Sequence, residues 1–585
     1  MDKLLHPVSF FQSLLQIGQA NMSGRRNGFD IDHVIISGFK RIRKPLCVGF
    51  ERDLNILVGD NGAGKSTILE AIHLALTGQY RGESIRRALS QAIFNNDDTD
   101  GFIKRAANGD LSTLPMVLIE VYLTGEDESE LNELSGAVNS ESHKACGFTF
   151  TLAFDEKFRK ELEGLPANTL KSLPIEYYDA TWMTFAGAAI TPRHLPIRSV
   201  VINPAGEWRC GHADERAVRA LLDGLGEKQQ MALAQSARTM FDAWNADDSL
   251  RAVSGTLLSS RFGGIGDMDL AADRGTCESW KRNLVVRLGN VPYGHVGAGS
   301  QSMMQAGIAL DKRRPEKTTL LLFEEPENHL SHANLNRLVR LIADGADGRK
   351  VVMTTHSSYV ANVLGLENLH IVSSIDDGTV CSPLSSLDPD TLDYFKKLPG
   401  YDTLRLVLAN ATVLVEGPSD ELVVQLAYRK THDGRLPIED GVDVISAGSG
   451  FLRFLELADA AKRRVLVLTD NDGKPEALTK KYRPYDADPL IEVRYVEEVC
   501  QPNDPNDVDP SSELNWNTLE AEILRSNGMA NINALLDKNY PDEASLLKYM
   551  ENHKTEVALK LFAVHEKVSV PEYIASGLEW LDGRR

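Results

Sequence analysis

The chain has 585 residues, of which 42% are hydrophobic and 25% are charged, as in a folded globular protein of roughly two to four domains. Its formal net charge of −20 argues against a generally basic nucleic-acid coat, although metal-holding carboxylates would contribute to that total. The sequence contains no apolar run of about 18 residues, so no membrane span is expected. The N-terminus does not resemble a signal peptide.

The six cysteines are too scattered for a zinc ribbon, because no two of them stand in a C-x₂₋₄-C pattern. Their spacing also argues against a disulfide framework and favours a reducing compartment. We therefore expect a cytoplasmic protein with no membrane partner.

The first predicted elements follow an unassigned extension at residues 1–29. Two short strands are predicted at 34–40 and 46–50, and a buried strand at 54–58 leads into a glycine-rich loop and a helix at 67–76. The loop matches the phosphate-binding pattern G-x-x-x-x-G-K-[ST].

The residue types of this loop suit a triphosphate. Glycines let the backbone approach phosphate oxygens, and the N-terminus of the following helix adds its positive dipole end. Lys65 is expected to reach the β- and γ-phosphates, and Ser66 to hold Mg²⁺. The predicted nucleotide-binding residues are Gly59, Asn61, Gly62, Gly64, Lys65, Ser66 and Thr67.

Alternating apolar residues predict strands at 116–123 and 148–154 that pair as a hairpin. Strand pairs around a phosphate loop, ahead of any helical run, favour an ABC-type ATPase lobe over a GTPase. Gln91 could sense a γ-phosphate or could be a solvated helix residue. A helix-rich stretch at 214–244 indicates an insertion, which could be a dimer surface or a packed subdomain.

The second half of the ATPase carries three further motifs. Residues 296–302 open a helix from which Ser300 could meet a γ-phosphate. An apolar strand then ends at Glu324 and Glu325, a Walker B arrangement in which Glu324 would hold the Mg²⁺ water shell. Glu325 would orient or deprotonate the attacking water. His356, at the end of a strand over 351–355, could contact the γ-phosphate.

In this order, the four motifs resemble the ABC-type ATPases of DNA metabolism, the group that includes SMC and Rad-fifty proteins. The resemblance implies ATP, with one Mg²⁺ ion, as the bound nucleotide. The chain departs from that group in having no sustained heptads for a coiled coil, and in placing Glu324 where aspartate is commoner.

Strands alternate with helices again beyond about residue 385, which predicts a parallel sheet. Acidic residues follow two of its strands, and sites in such sheets form at the carboxyl ends of the strands. Carboxylates without histidine or cysteine favour Mg²⁺ or Mn²⁺, and their charges would repel one another without a cation. The predicted metal ligands are Glu416, Asp420, Asp470 and Asp472.

This half resembles a Toprim domain, and the two halves together resemble the OLD (overcoming lysogenization defect) family of nucleases. The resemblance implies two metal ions in the Toprim site, with Glu520 and Glu522 at the second ion. It implies catalytic roles for Asp470, Asp472 and an active-site lysine. Lys554 is favoured for that lysine over Lys560.

The expected fold is α/β. The expected domains are an N-terminal extension (1–29), an ABC ATPase N-terminal lobe (30–155), a largely helical insertion and possible dimerisation region (156–285), an ABC ATPase C-terminal lobe (286–384) and a Toprim nuclease domain (385–585). The resulting hypothesis is an ATP-binding and ATP-hydrolysing, metal-dependent DNA endonuclease.

The family resemblance further implies a role in antiphage or anti-plasmid defence, with DNA and other copies of the chain, as a dimer or tetramer, for partners. A co-encoded helicase, or a reverse transcriptase with a non-coding RNA–DNA, is a further partner that it suggests. The alternative is an SMC- or Rad-fifty-like ATP switch or clamp on DNA with a non-catalytic Toprim scaffold. A topoisomerase would need a nucleophilic tyrosine on a further domain, and none remains.

Overall fold

The computed structural model describes residues 29–51, 53–125, 132–164, 170–202, 222, 225–258, 284–309, 318–328, 330–345, 349–375, 378–397, 402–499 and 514–583. They fall into two compact units, one within Met1–Ile56 and Lys65–Thr355 and the other within Leu57–Gly64 and His356–Arg585.

The first unit contains an antiparallel and a parallel set of strands. Its strands are β1 (Asp30–Ser37), β2 (Leu46–Gly49), β3 (Leu54–Val58, which runs on into the second unit), β4 (Gln79–Tyr80), β5 (Glu83–Ser84), β6 (Val117–Thr124), β7 (Ser135–Gly136), β8 (Ala145–Phe154), β9 (Tyr178–Thr184), β10 (Arg198–Ile202), β11 (Arg287–Leu288), β12 (Val291–Pro292), β13 (Thr318–Glu324) and β14 (Lys350–Thr354). Its helices are α1 (Lys65–Thr77), α2 (Ile85–Ala88), α3 (Asn96–Ala107), α4 (Arg159–Glu163), α5 (Glu227–Asn245), α6 (Asp248–Leu258), α7 (Ala298–Ala309) and α8 (His332–Gly345).

The antiparallel sheet has the order β2-β1-β6-β8-β7, and β9 also pairs with β8. The predicted hairpin is confirmed, since β6 and β8 are antiparallel with Val121 opposite Phe148. In the other sheet, β10, β13 and β14 run parallel to one another. The strand predicted at 54–58 is β3, which has no exposed residue.

Helix α1 lies between these two sets of strands, with contacts to β1 and β6 on one side and to β10, β13 and β14 on the other. Most of its side chains are buried, and they include the polar side chains of Glu70 and His73 among the apolar ones. Two side-chain hydrogen bonds hold it in place. Trp182 Nε1 donates to the carbonyl oxygen of Ala75 (2.8 Å), and His73 Nδ1 lies 2.9 Å from Ser199 Oγ.

The insertion predicted for 156–285 is helical only in part. Helices α5 and α6 lie within it, but so do β9 and β10, which are members of the two sheets. Residues 178–202 therefore belong to the sheets. The sequence analysis did not predict these strands, because β9 places a half-buried Trp182 next to an exposed Met183, which obscures a buried pattern.

The second unit contains a hairpin and a four-stranded parallel sheet. Its strands are β15 (Leu369–Ile375), β16 (Gly378–Pro383), β17 (Ala411–Val415), β18 (Val442–Ser446), β19 (Arg464–Leu468) and β20 (Ile491–Arg494). Its helices are α9 (Ser358–Leu364), α10 (Pro389–Lys397), α11 (Asp402–Leu408), α12 (Pro418–Thr431), α13 (Phe451–Ala461), α14 (Pro475–Tyr482), α15 (Leu519–Asn527), α16 (Met529–Leu536), α17 (Glu543–Asn552), α18 (Lys554–Ala563) and α19 (Glu572–Asp582).

The sheet order is β18-β17-β19-β20, with every neighbouring pair parallel, which confirms the parallel sheet predicted from the sequence. Strands β17 and β19 are buried almost throughout because helices cover both faces. Helix α12 packs against β18 and α18, and α19 packs against β19 and β20. None of the described helices combines the length and the apolar character that crossing a bilayer requires.

Leu466, in the middle of β19, gives a test of this core. Its side chain is fully buried and packs against Gly577 of α19. We expect Leu466→Ala to lower the free energy of unfolding by about 2–5 kcal/mol, because the cavity cannot fully collapse. Chemical denaturation followed by circular dichroism measures the loss. Leu559→Ala, at a position 53% exposed on α18, is the control and should change little; equal losses would contradict the packing described.

Candidate nucleotide and metal sites

The phosphate loop joins β3 to α1 and has the backbone conformation that its glycines allow. Gly59, Gly62 and Gly64 have φ angles of 154°, 76° and 113°. A Cβ atom on Gly59 would lie 2.0 Å from the carbonyl oxygen of Val372, so only glycine fits there. Lys65, the first residue of α1, is 3% exposed, so its side chain is shielded from solvent.

The Walker B carboxylates stand at the end of β13, beside the end of β14. Glu325 has a φ of 40°, which is uncommon for a residue other than glycine. Its amide donates to the carbonyl oxygen and to Oγ1 of Thr354, both at 3.1 Å, and Asn328 Nδ2 donates to its Oε2 at 2.8 Å. Because α1 packs against β13 and β14, the helix that begins at Lys65 lies against the strand that ends at Glu324.

The structure places three further residues predicted for the ATPase, Ser300, His356 and Gln91, in different surroundings. Ser300 lies in the first turn of α7, as predicted, with its amide 2.9 Å from the carbonyl oxygen of Gly297. His356 follows β14 and belongs to the second unit. Gln91 Oε1 accepts a hydrogen bond from the Leu173 amide at 2.9 Å, so this side chain fixes a neighbouring segment.

The acidic residues of the second unit meet at the carboxyl ends of β17 and β19. Glu416 follows β17, and its Oε1 accepts from Thr469 Oγ1 at 2.6 Å and from the Asp470 amide at 3.1 Å. Asp420 lies in the first turn of α12, which begins directly after Glu416 and Gly417. The parallel pairing of β17 with β19 is what brings the two sequence motifs together.

Two residues from far downstream join these carboxylates. Glu520, in the first turn of α15, is 4% exposed, and Lys554 at the start of α18 places its Nζ 3.1 Å from Glu520 Oε2. The charged partner of this buried oxygen is therefore the Lys554 ammonium group. Lys560 instead pairs with Glu556 at 2.9 Å, where both are exposed, so of the two candidate lysines only Lys554 faces the carboxylates.

The electrostatics show that these groups act on one another. Burial, followed by the charges of Glu520 and Glu416, raises the pKa of Asp420 to about 6. Burial, followed by Glu416 and Asp420, raises the pKa of Asp470 well above its usual value. Burial lowers the pKa of Lys554, but the nearby carboxylates outweigh it and the pKa is raised overall. The site is therefore a cluster of mutually repelling acids with one ammonium group.

Asp472 and Glu522 are placed differently from the other predicted ligands. Asp472 has a φ of 47°, and its Oδ1 accepts from Asn515 Nδ2 at 2.8 Å. Glu522 forms an ion pair with Arg525, one helical turn away. Within the described residues, no three Asp, Glu, His or Cys side chains already form a coordination shell. The acidic residues therefore lie near one another, but they are not already arranged as ligands around a metal ion.

Oxygen ligands of this kind fit a hard divalent cation. The set contains only carboxylates, and like charges lie within electrostatic range of each other. Sequence reasoning missed one neighbour, Glu551 on α17. Burial and the charge of Glu520 raise the pKa of its carboxyl group. Its only sequence signal is its position three residues before Lys554.

Family models match three parts of the chain. Residues 33–158 match an AAA domain, and residues 284–362 match an AAA domain of the AbiEii toxin, type IV TA system, group. Residues 407–472 match the TOPRIM domain of overcoming-lysogenization-defect-like proteins. The order of these domain matches is that of an OLD-family ATPase–Toprim fusion. The fold is α/β, as predicted from the sequence, with matches to AAA domains ahead of a match to a Toprim domain.

Among curated proteins, the chain is similar to a chromosome partition protein Smc of Halothermothrix orenii, with 30% identity over 94 residues that make up 16% of the chain and 7% of the relative. It is also similar to a DNA replication and repair protein RecF of Clostridium kluyveri, with 25% identity over 169 residues, 29% of the chain and 43% of the relative. The chain thus spans less than half the length of each of these relatives.

Solved structures with some similarity include the SMC head domain from Thermotoga maritima, with a TM-score of 0.30, 14% identity, and coverage of 60% of this chain and 98% of that one. The recombination mediator protein RecF has a TM-score of 0.29 and 12% identity, with coverage of 61% and 99%. Superpositions this loose support no argument about the site of this chain.

The raised pKa of Asp420 predicts a pH dependence of stability. A carboxyl group whose pKa is higher in the folded than in the unfolded state contributes stability below pH 4, and this is lost as the pH rises through about 6. In EDTA, Asp420→Asn should therefore gain stability relative to the parent between pH 4.5 and 7.5. Excess Mg²⁺ should shrink that gain by stabilising the parent.

Thermal denaturation of both proteins across this pH range measures the effect. Asp486→Asn, which changes an exposed carboxylate on the same unit, is the matched control and should run parallel to the parent. A constant difference between Asp420→Asn and the parent at all pH values would contradict the electrostatic description of the site.

Proposed function

We propose that the chain is an ATP-binding and ATP-hydrolysing nuclease that hydrolyses DNA phosphodiester bonds with divalent metal ions. The observation that carries this proposal is the meeting of Glu416, Asp420, Asp470 and Glu520 with Lys554 at one edge of a parallel sheet. The phosphate loop of the same chain supplies the proposed nucleotide-binding site. The match of residues 407–472 to an OLD-like TOPRIM domain supports the metal site.

The proposed metal ligands are Glu416, Asp420, Asp470, Asp472, Glu520 and Glu522. Bound Mg²⁺ or Mn²⁺, with two ions proposed, would neutralise these carboxylates and supply positive charge at the scissile phosphate. For Asp472 and Glu522 to act as ligands, they must exchange their present partners, Asn515 and Arg525. Thr469 and the Asp470 amide fix Glu416 and so preset its direction.

Lys554 adds the positive charge that a phosphodiester substrate needs. Its pKa is raised, so its ammonium group stays charged at neutral pH and can stabilise the negative charge that develops on the phosphoryl oxygens. Glu520 Oε2 lies 3.1 Å from the ammonium nitrogen. The lysine is therefore kept beside the carboxylates rather than in solvent.

In the ATPase half, Lys65 would bind the β- and γ-phosphates, while Ser66 and Glu324 would hold one Mg²⁺ ion. Glu325 would orient the attacking water, and its carboxylate is already held by Asn328. Ser300 and His356 are proposed γ-phosphate contacts. Gly59, Asn61, Gly62, Gly64 and Thr67 would complete the nucleotide site.

DNA is the proposed substrate because the curated relatives are named for chromosome partition and for DNA replication and repair. These names also favour a second candidate, an ATP switch or clamp on DNA in which the Toprim domain does not cut. Self-association as a dimer or tetramer belongs to both candidates. A role in antiphage or anti-plasmid defence, beside a helicase or a reverse transcriptase, belongs to the nuclease.

Nicking of supercoiled plasmid in Mg²⁺ or Mn²⁺, with and without ATP, separates the two candidates. We expect Asp470→Ala and Lys554→Met each to lower the cleavage rate by on the order of 10²-fold or more, since the first removes a proposed metal ligand and the second removes positive charge beside the reacting phosphate. Lys560→Met is the matched control on the same helix and should cut within about twofold of the parent. Equal nicking by the parent and by Asp470→Ala would favour the clamp.

Nucleotide binding is tested separately with a fluorescent ATP analogue. We expect Lys65→Ala to lower the affinity at least about a hundredfold, because it removes the charge that faces the phosphates. Lys104→Ala, at an exposed position on α3, is the control. Tight binding by Lys65→Ala would overturn the assignment of the phosphate loop.

A further inference from the structure

An ion pair joins the phosphate loop to the Toprim half within the second unit. Asp60 lies in the loop, directly after Gly59, and its Oδ2 is 2.8 Å from Nη1 of Arg463. Arg463 is 9% exposed, and its Nε and Nη2 atoms are buried without a hydrogen-bond partner. The guanidinium group is therefore a buried charge that depends strongly on Asp60.

Strand β15 provides two further links between the same parts of the unit. Gly59 lies so close to Val372 that no side chain fits between them. The next residue along β15, Ser373, donates from its Oγ to the carbonyl oxygen of Ala461 at 3.1 Å, at the end of α13. We call Gly59, Asp60, Val372, Ser373, Ala461 and Arg463 the loop bracket.

The loop bracket ends where the metal-site strand begins. Arg463 directly precedes β19. This strand is buried almost throughout and pairs with β17 along its length. The chain leaves β19 at Thr469 and Asp470, the two residues that bond to Glu416. A short, buried strand is rigid, so a displacement at its start is carried to the carboxylates at its end.

Nucleotide phosphates in the loop would act on the loop bracket through charge. The phosphates repel the Asp60 carboxylate and attract the Arg463 guanidinium, so they weaken the ion pair between the two. Arg463 cannot simply separate from Asp60, because its buried charge would then be uncompensated. We propose that the Asp60–Arg463 ion pair couples nucleotide occupancy of the phosphate loop to the position of Asp470 and Glu416. Arg463 is a positioning residue in this scheme.

The inference rests on the proposed function for the nucleotide in the loop and for the metal at the acidic cluster, and it adds the regulatory connection between them. Coupling of this kind is reciprocal: if nucleotide changes the metal site, metal changes nucleotide affinity by the same factor.

Hydrogen exchange of the full chain, measured by mass spectrometry in constant excess Mg²⁺ with and without a slowly hydrolysed ATP analogue, tests the coupling. In the parent, we expect the analogue to change amide exchange across residues 464–473 by about fivefold or more, the low end of common coupling factors. In Arg463→Gln, the change should vanish while a fluorescent nucleotide still binds. Arg463→Lys, which keeps the charge, should retain part of it.

The matched control is Lys462→Gln, which alters the adjacent residue and an exposed ion pair with Asp459, and which should behave as the parent does. If Arg463→Gln is too unstable to study, Asp60→Asn combined with Arg463→Gln removes both charges and avoids the unpaired one. This double variant should also show no change at 464–473.

Two results overturn the inference: an unchanged exchange pattern in the parent with nucleotide bound, or a full response in the nucleotide-bound Arg463 variants. Either result leaves plasmid cleavage by the parent unaffected, so failure of the coupling is separable from failure of the proposed nuclease. Conversely, a parent that couples the two regions but never cuts DNA would retain the ion pair's role and lose the nuclease.

Discussion

Repulsion among buried carboxylates is the constraint on which the Toprim half depends. The pKa values of Asp420 and Asp470 are both raised, by burial first and then by their acidic neighbours, so the fold holds these groups together at an electrostatic cost. Lys554 offsets part of that cost through Glu520. A bound cation would compensate the repulsion that Lys554 leaves, which is why a metal-dependent reaction fits the site better than a structural role.

The arrangement of secondary structure explains how the cluster forms. Glu416 and Asp420 belong to a strand–helix turn at β17, and Asp470 belongs to the end of β19 beside it. Glu520 and Lys554 arrive on α15 and α18, which pack in the same core as these strands. The site thus draws on widely separated segments, and its geometry depends on the packing of α12, α15 and α18 around one sheet.

The phosphate loop differs from this cluster, because backbone conformation rather than side-chain packing sets its shape. Positive φ angles at Gly59, Gly62 and Gly64 shape the loop, and the close approach of Val372 to Gly59 fixes one end of it. Asp60 of the loop pairs with Arg463 ahead of β19, so residues 57–64 of the loop and the strand that leads to Asp470 lie in one compact unit. A nuclease that responds to nucleotide and an ATP-driven clamp would both make use of that connection.

The amino-acid sequence by itself determined the strand–loop–helix around Lys65, the antiparallel pairing of β6 with β8, and the parallel Toprim sheet. These follow from local pattern: apolar periodicity, glycine and the alternation of strands with helices. Only the tertiary structure decided that β9 and β10 belong to the sheets, that Asp472 and Glu522 pair with Asn515 and Arg525, that Glu551 lies within reach of Glu520, and that Arg463 pairs with Asp60. Each of these depends on which side chains from distant segments are packed together, and a local sequence pattern carries no such information.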